Sequence, residues 1–224
     1  MTTTSGENGG RRVLLAGATG LVGRELLNQL LTDATIAEVI ALVRRQPAHD
    51  AEHRLRIAMV DFDRLHAVAD LFDVDQVFCS LGTTIGIAGS PEAFRRVDFE
   101  YPLRIAELAR AAGARHFLLV SALGADSASR IFYSRVKGEL EQRLRALAFR
   151  ALTIARPSLL SGQREEVRPM EMVASTFAFL VPPRWRPVEA RQVASALVHA
   201  ARVDLPGERV MDNRELLSYG RRTH

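Results

Sequence analysis

Short apolar runs alternate with longer amphipathic stretches along most of this chain. Val13-Leu14-Leu15-Ala16, preceded by Arg12, predicts a buried strand. A glycine-rich turn follows, and then a helix over about 21–31. Further strands are predicted over 39–43, 57–60, 76–80, 116–120 and 152–155. Helices are predicted over 62–71, over 91–112 with Gly113 as its C-terminal cap, and over 130–147. Continuous apolar runs of this length, set between helices, mark strands covered on both faces. The alternation therefore predicts an α/β fold with a doubly wound parallel sheet. Beyond Arg156-Pro157 the pattern weakens. Two helices, over 170–181 and 189–202, are predicted there, on either side of a proline-rich stretch over 182–187.

Residues 11–224 read as one domain, with 157–224 forming a small helical cap on the substrate side. Residues 1–10 are rich in Thr, Ser, Gly and Asn, lack an apolar signal-peptide core and read as a disordered leader. The apolar stretch 172–181 is too short to span a bilayer. It reads as a core-packing helix or as a hydrophobic lid.

The glycine turn is the first sign of chemistry. Gly17-Ala18-Thr19-Gly20-Leu21-Val22-Gly23 joins the first strand directly to the first helix. In that position one glycine permits a tight turn, another lets backbone N–H groups approach a pyrophosphate, and a third lets helix pack on strand. The helix N-terminus then faces the anion with its partial positive charge. The segment lacks the Gly-Lys-Ser/Thr ending of a nucleoside triphosphate loop. The turn therefore predicts a dinucleotide cofactor.

The end of the second strand bears on which one. An NAD site usually carries a carboxylate there, for the ribose hydroxyls. This chain has Arg44-Arg45 instead, which suits a 2′-phosphate through charge-assisted hydrogen bonds and favours NADP over NAD. Asp61, followed by Phe62, is placed either to accept from the adenine amino group or to cap the next helix.

Lys137 is the only lysine among 30 cationic side chains, so the composition has replaced every other ammonium with guanidinium. It lies four residues after Tyr133, on the same face of the predicted helix. A nearby cation stabilises phenolate, and a compact ammonium is not interchangeable with a planar guanidinium.

The remaining composition narrows the field. The net charge is +4, with arginines scattered and acids interleaved, which is not the concentrated basic stripe of a nucleic-acid surface. Cys79 is the only cysteine, which suits a cytoplasmic protein without intrachain disulfides. His49, His53, His66, His116, His199 and His224 show no metal-ligand spacing and read as structural or surface residues. No metal is expected. The expected partner is a small-molecule substrate, and the oligomeric state is left open.

Taken with the stretches 78–84, 97–103, 120–125 and 132–140, these landmarks resemble the atypical branch of the short-chain dehydrogenase/reductase superfamily, and most closely its Tat-interacting oxidoreductase group. The resemblance spans about 12–162. It implies a Rossmann fold and hydride transfer to or from a small, fairly apolar carbonyl or alcohol. Tyr133 would be the acid/base, Lys137 would tune the phenol and bind the nicotinamide ribose, and Ser121 would orient the substrate oxygen. Cys79, Ser80, Leu81 and Gly82 would line the cofactor, with Cys79 a small buried filler. Arg156, Pro157 and Ser158 would approach its nicotinamide end.

One position departs from the pattern. Many members have Asn where this chain has Asp98, which would either pair with Lys137 or lie solvated on its helix. The alternative to an enzyme is an NADPH-binding regulator without turnover. A sugar-nucleotide epimerase is disfavoured, because only 69 residues follow Ala155.

Overall fold

The computed structural model describes residues 10–45, 53–161 and 182–220. The predicted leader, apart from Gly10, and the helix predicted over 170–181 lie outside them.

The first strand and helix follow the predicted pattern, as β1 (Arg11–Ala16) and α1 (Leu21–Thr32). Strands β2 (Ile36–Val43), β3 (Leu55–Met59) and β4 (Gln76–Cys79) come next, with 3-10 turns over Phe62–Phe72 in place of the α-helix predicted over 62–71. Non-helical Arg64 and Val68 break that segment, which is why it does not propagate as an α-helix.

The long helix predicted over 91–112 is present but interrupted. It follows a short helix, α2 (Ile85–Ala88), and consists of α3 (Pro91–Arg95), a π turn over Arg96–Glu100 and α4 (Tyr101–Ala111). Strand β5 (His116–Val120), helix α5 (Phe132–Ala146) and strand β6 (Ala151–Ala155) complete the predicted part.

The C-terminal region, read as a helical cap within the one domain, also contributes to the main sheet. It holds a two-residue parallel pair, β7 (Leu160–Ser161) with β8 (Val188–Glu189), then helix α6 (Ala190–Val203), strand β9 (Gly207–Met211) and a short helix, α7 (Asn213–Leu216). Strand β9 pairs with β6 as the seventh strand of the main sheet, and α6 packs beside α1 in the helical layer. The sequence pattern hides β9 because an edge strand needs no continuous apolar run. Gly207-Glu208-Arg209 is largely exposed, and only Met211 is buried.

The sheet runs β3-β2-β1-β4-β5-β6-β9, and every pairing in it is parallel. Successive residues serve opposite faces, as strand geometry requires. Val13, Leu15, Val39, Ala41 and Leu118 pack with α1 and α6. Leu14, Ala16, Ile40, Leu42, Phe117 and Leu119 pack with the 3-10 segment, α4 and α5. Two cores on one sheet make the fold doubly wound. The strand order reverses between β1 and β4, and their C-terminal ends flank the crevice where such sheets bind ligands.

Candidate functional site

The glycine turn shows why its residues are glycine. Gly17 has φ +91°, and a Cβ there would meet the Ser80 backbone at 2.7 Å. A Cβ on Gly23 would lie 1.9 Å from the Gly17 carbonyl oxygen, so only glycine lets α1 sit this close to its own turn. Gly20 is less constrained, because its Cβ would lie 3.4 Å from that same oxygen. Gly20 caps α1 and offers no side chain to the first-turn N–H groups, which are contributed by Leu21, Val22 and Gly23. Thr19 and Gly20 are exposed at this end. Ser80 closes the turn from β4, its hydroxyl donating to the Ala16 oxygen at 3.1 Å and to that of Gly17 at 3.3 Å. The cradle thus fits a pyrophosphate on geometry alone.

Arg44 and Arg45 are exposed at the end of β2, and among the described residues neither has a carboxylate partner. A small, mainly apolar hollow is lined by Ala18, Thr19, Leu27, Ala41, Val43, Leu55 and Ile57. Asp61 caps the 3-10 segment that follows it. Its carboxylate accepts from the Asp63 N–H at 3.0 Å. Phe62 is buried against Tyr101.

Helix α5 carries Tyr133 and Lys137 into the site. Gly138 permits this, since a Cβ there would come within 2.2 Å of the backbone at Asp126 and Ser127. Tyr133 is half-buried, its ring 5.5 Å from that of Phe94. Lys137 is only 4% exposed and stands beside Gly82, whose Cβ position lies 3.8 Å from Nζ. Nζ lies 2.7 Å from Asp98 Oδ1, and Asp98 is 1% exposed, so the solvated alternative for this carboxylate is ruled out. The other oxygen, Oδ2, accepts from the Thr83 N–H at 2.8 Å. The π turn brings Asp98 inward, consistent with the frequency of such turns at functional sites.

The electrostatics follow from this burial. Loss of water pushes the Lys137 ammonium toward deprotonation, but Asp98 and then Tyr133 outweigh it, so the group titrates above its ordinary value. Cys79 is fully buried at the end of β4, and burial pushes its thiol up to about 11. It is a protonated filler rather than a nucleophile.

Ser121 and Arg156 both turn to a residue the sequence reading missed. Ser121 is 5% exposed and donates its hydroxyl proton to Glu141 Oε1 at 2.6 Å. Arg156 Nε donates to the same oxygen at 3.0 Å, and its Nη2 donates to Oε2. Glu141 is wholly buried. Its sequence signal was the continued four-residue beat after Tyr133 and Lys137. Pro157 accepts from the Leu123 N–H at 2.7 Å, and the Ser158 N–H donates to Asn213 Oδ1 at 2.9 Å. Asn213 is a second missed residue, tying the loop after β6 to the Arg186 carbonyl.

A family model described as NAD(P)H-binding matches residues 17–202. The chain belongs to the NAD(P)H-binding family.

Within this family its relatives include Protein HTATIP2 of Rattus norvegicus, 38% identical over 78% of this chain and 73% of the relative. That likeness bears out the resemblance to the Tat-interacting group. A mitochondrial fmp52 protein of Aspergillus niger is 34% identical over 93% of this chain and 98% of its own length. Among solved structures, MoeE5 in complex with UDP-glucose and NAD aligns with TM-score 0.69 at 19% identity, over 92% of this chain and 80% of that one. The Bordetella bronchiseptica enzyme WbmH in complex with NAD+ aligns with TM-score 0.72 at 13% identity, over 90% and 75%. At these identities the likeness to solved structures shows the Rossmann fold. Among the described residues no helix is long and apolar enough to cross a membrane, and no cluster of His, Cys, Asp and Glu is gathered to hold a metal ion.

Proposed function

We propose that this NAD(P)H-binding protein is an NADP(H)-dependent oxidoreductase acting on a small, fairly apolar carbonyl or alcohol. The observation that carries the reading is the buried Lys137 ammonium four residues from Tyr133, on a helix at the same end of the sheet as the glycine cradle. A nicotinamide cofactor supplies or accepts the hydride when bound. Gly17, Gly20 and Gly23 would hold its pyrophosphate, and Arg44 with Arg45 its 2′-phosphate.

Tyr133 gives a proton to the carbonyl oxygen in reduction and takes one from the alcohol in oxidation. Lys137 favours the phenolate left behind and donates to the ribose. Phe94 holds the phenol ring in place. The exposed side chains of Ile85, Ile87 and Ile131, close in sequence to the site residues, support an apolar substrate.

Replacing Tyr133 with Phe tests this. NADPH-dependent reduction across a carbonyl panel should fall by about a hundredfold or more, while NADPH affinity changes little. A Tyr133→Phe protein with full activity would sink the reading.

The regulator without turnover is the second reading, and Asp98 favours it by claiming the ammonium that would otherwise serve Tyr133 alone. Tight NADPH binding with no oxidation of NADPH by any carbonyl would select it.

The cytoplasmic placement rested on the single cysteine. A lone buried thiol fits either compartment, and the fungal relatives carry the name mitochondrial. Fractionation of cells expressing the tagged protein decides between the two.

A further inference from the structure

Glu141 is a buried carboxylate that the proposed chemistry does not use. It lies on the inner face of α5, one helical repeat beyond Lys137 and two beyond Tyr133. Oε1 accepts from Ser121 and from Arg156 Nε, and Oε2 accepts from Arg156 Nη2 and, at 3.4 Å, from Arg145 Nη2. The Arg156 pair is a two-pronged one, the arrangement that fixes orientation as well as distance.

Stability alone does not account for it. An ion pair with a buried carboxylate gains little over apolar residues of the same volume, because the carboxylate loses all its water. What the pair does is geometric. Ser121 is the first residue after β5 and Arg156 the first after β6. The two strand ends are stitched together by the Ser121 N–H to the Ala155 oxygen at 2.8 Å and the Leu123 N–H to the Pro157 oxygen at 2.7 Å. Glu141 then fastens this pair of strand ends to the helix that carries Tyr133 and Lys137.

We propose that Glu141 is a positioning residue that sets the nicotinamide half of the cofactor site by holding the β5 and β6 ends against α5. This rests on the cofactor reading above. It also defines what Ser121 and Arg156 do. The Ser121 proton is engaged by a carboxylate, a stronger acceptor than a ketone, so Ser121 meets any ligand with its lone pairs. Arg156 acts through where it puts Pro157 and Ser158 rather than through its charge.

The test compares the whole cofactor with its adenine half. NADPH and 2′,5′-ADP are titrated calorimetrically against wild type, Glu141→Gln and Arg156→Lys. The amide keeps the shape of Glu141 but turns an N–H toward a guanidinium, and lysine cannot reproduce the two-pronged contact. Both variants should bind NADPH about tenfold more weakly and 2′,5′-ADP within about twofold of wild type.

Equal weakening of both ligands would make Glu141 a general stabiliser and overturn the proposal. Unchanged binding of both would make it a simple scaffold ion pair and overturn it equally. Arg156 is partly exposed, so Arg156→Lys provides the reading even if Glu141→Gln fails to fold. A wild-type protein that binds neither ligand would overturn the cofactor reading and this proposal together, and it would do so before any substitution is made.

Discussion

Lys137 Nζ and Asp98 Oδ1 stand 2.7 Å apart with both side chains almost wholly inside the protein. Neither ion would tolerate that position alone, since several kcal/mol of hydration are lost by each. Truncating Asp98 to Ala should therefore cost about 3–5 kcal/mol, read from urea unfolding. Asn has one acceptor oxygen for the two donors, Lys137 and Thr83, so Asp98→Asn turns an N–H toward one of them and should also destabilise the fold. The sign of the pH effect follows from Lys137. Its folded pKa lies above the ordinary 10.5, so the contribution is complete below that pH and is lost as the pH rises beyond it. A protein whose stability falls already between pH 8 and 9 through Lys137 would contradict this.

Lys137→Arg keeps the charge but adds volume where there is little room, next to Gly82 and Asp98. Overpacking of this kind costs about 1–3 kcal/mol. Arg is as good a helix former as Lys, so the loss belongs to packing rather than propensity. The melting temperature should drop and NADPH binding should weaken. A silent Lys137→Arg would show that no compact ammonium is required.

Two glycines three residues apart should respond very differently to the same methyl group. Gly23→Ala drives a Cβ to within 1.9 Å of the Gly17 oxygen, whereas Gly20→Ala meets that oxygen at 3.4 Å. The first should cost about 3 kcal/mol and abolish NADPH binding, and the second should fold as wild type. Circular dichroism melts with NADPH titration separate them. Equal behaviour would mean that α1 can slide away from its turn.

Arg44 and Arg45 are exposed at the end of β2, and among the described residues neither has a carboxylate partner. Arg44→Ala should weaken NADPH by about tenfold or more while leaving NADH nearly unchanged, because a charge-assisted bond to phosphate is worth roughly 1.5–3 kcal/mol. Equal wild-type affinities for the two cofactors would dispose of the 2′-phosphate assignment.

Asp33 carries an acid-stability effect far from the site. It is 5% exposed after α1 and accepts from Thr35 and, at 2.7 Å, from Arg202 on α6. Burial alone would raise its carboxyl pKa, but these bonds outweigh it and hold the group at about 2. The folded value lies below the unfolded one, so the contribution is present above pH 3.8 and is lost as the pH falls toward 2. Asp33→Asn should lower stability at pH 7 by about 1–2 kcal/mol and flatten the loss in that acid window.

The sequence by itself determined the parallel sheet from β1 to β6, the glycine cradle and the Tyr133-Lys137 pair. Each depends on spacing within a few residues. Apolar runs bury strands on both faces, a glycine without Cβ admits the turn, and two positions one helical repeat apart share a face. Asp98 was visible only as a pair of alternatives. The choice needed the π turn, which rotates the carboxylate inward to an ammonium on a different helix. The partners of Ser121 and Arg156 were not legible, because Glu141 reaches them from α5 across the ends of two strands. Strand β9 escaped notice because an exposed edge asks for pairing but not for apolar composition. Local sterics and periodicity are written in neighbouring residues. The partner of a buried charge is decided only when packing removes water and leaves one group within reach.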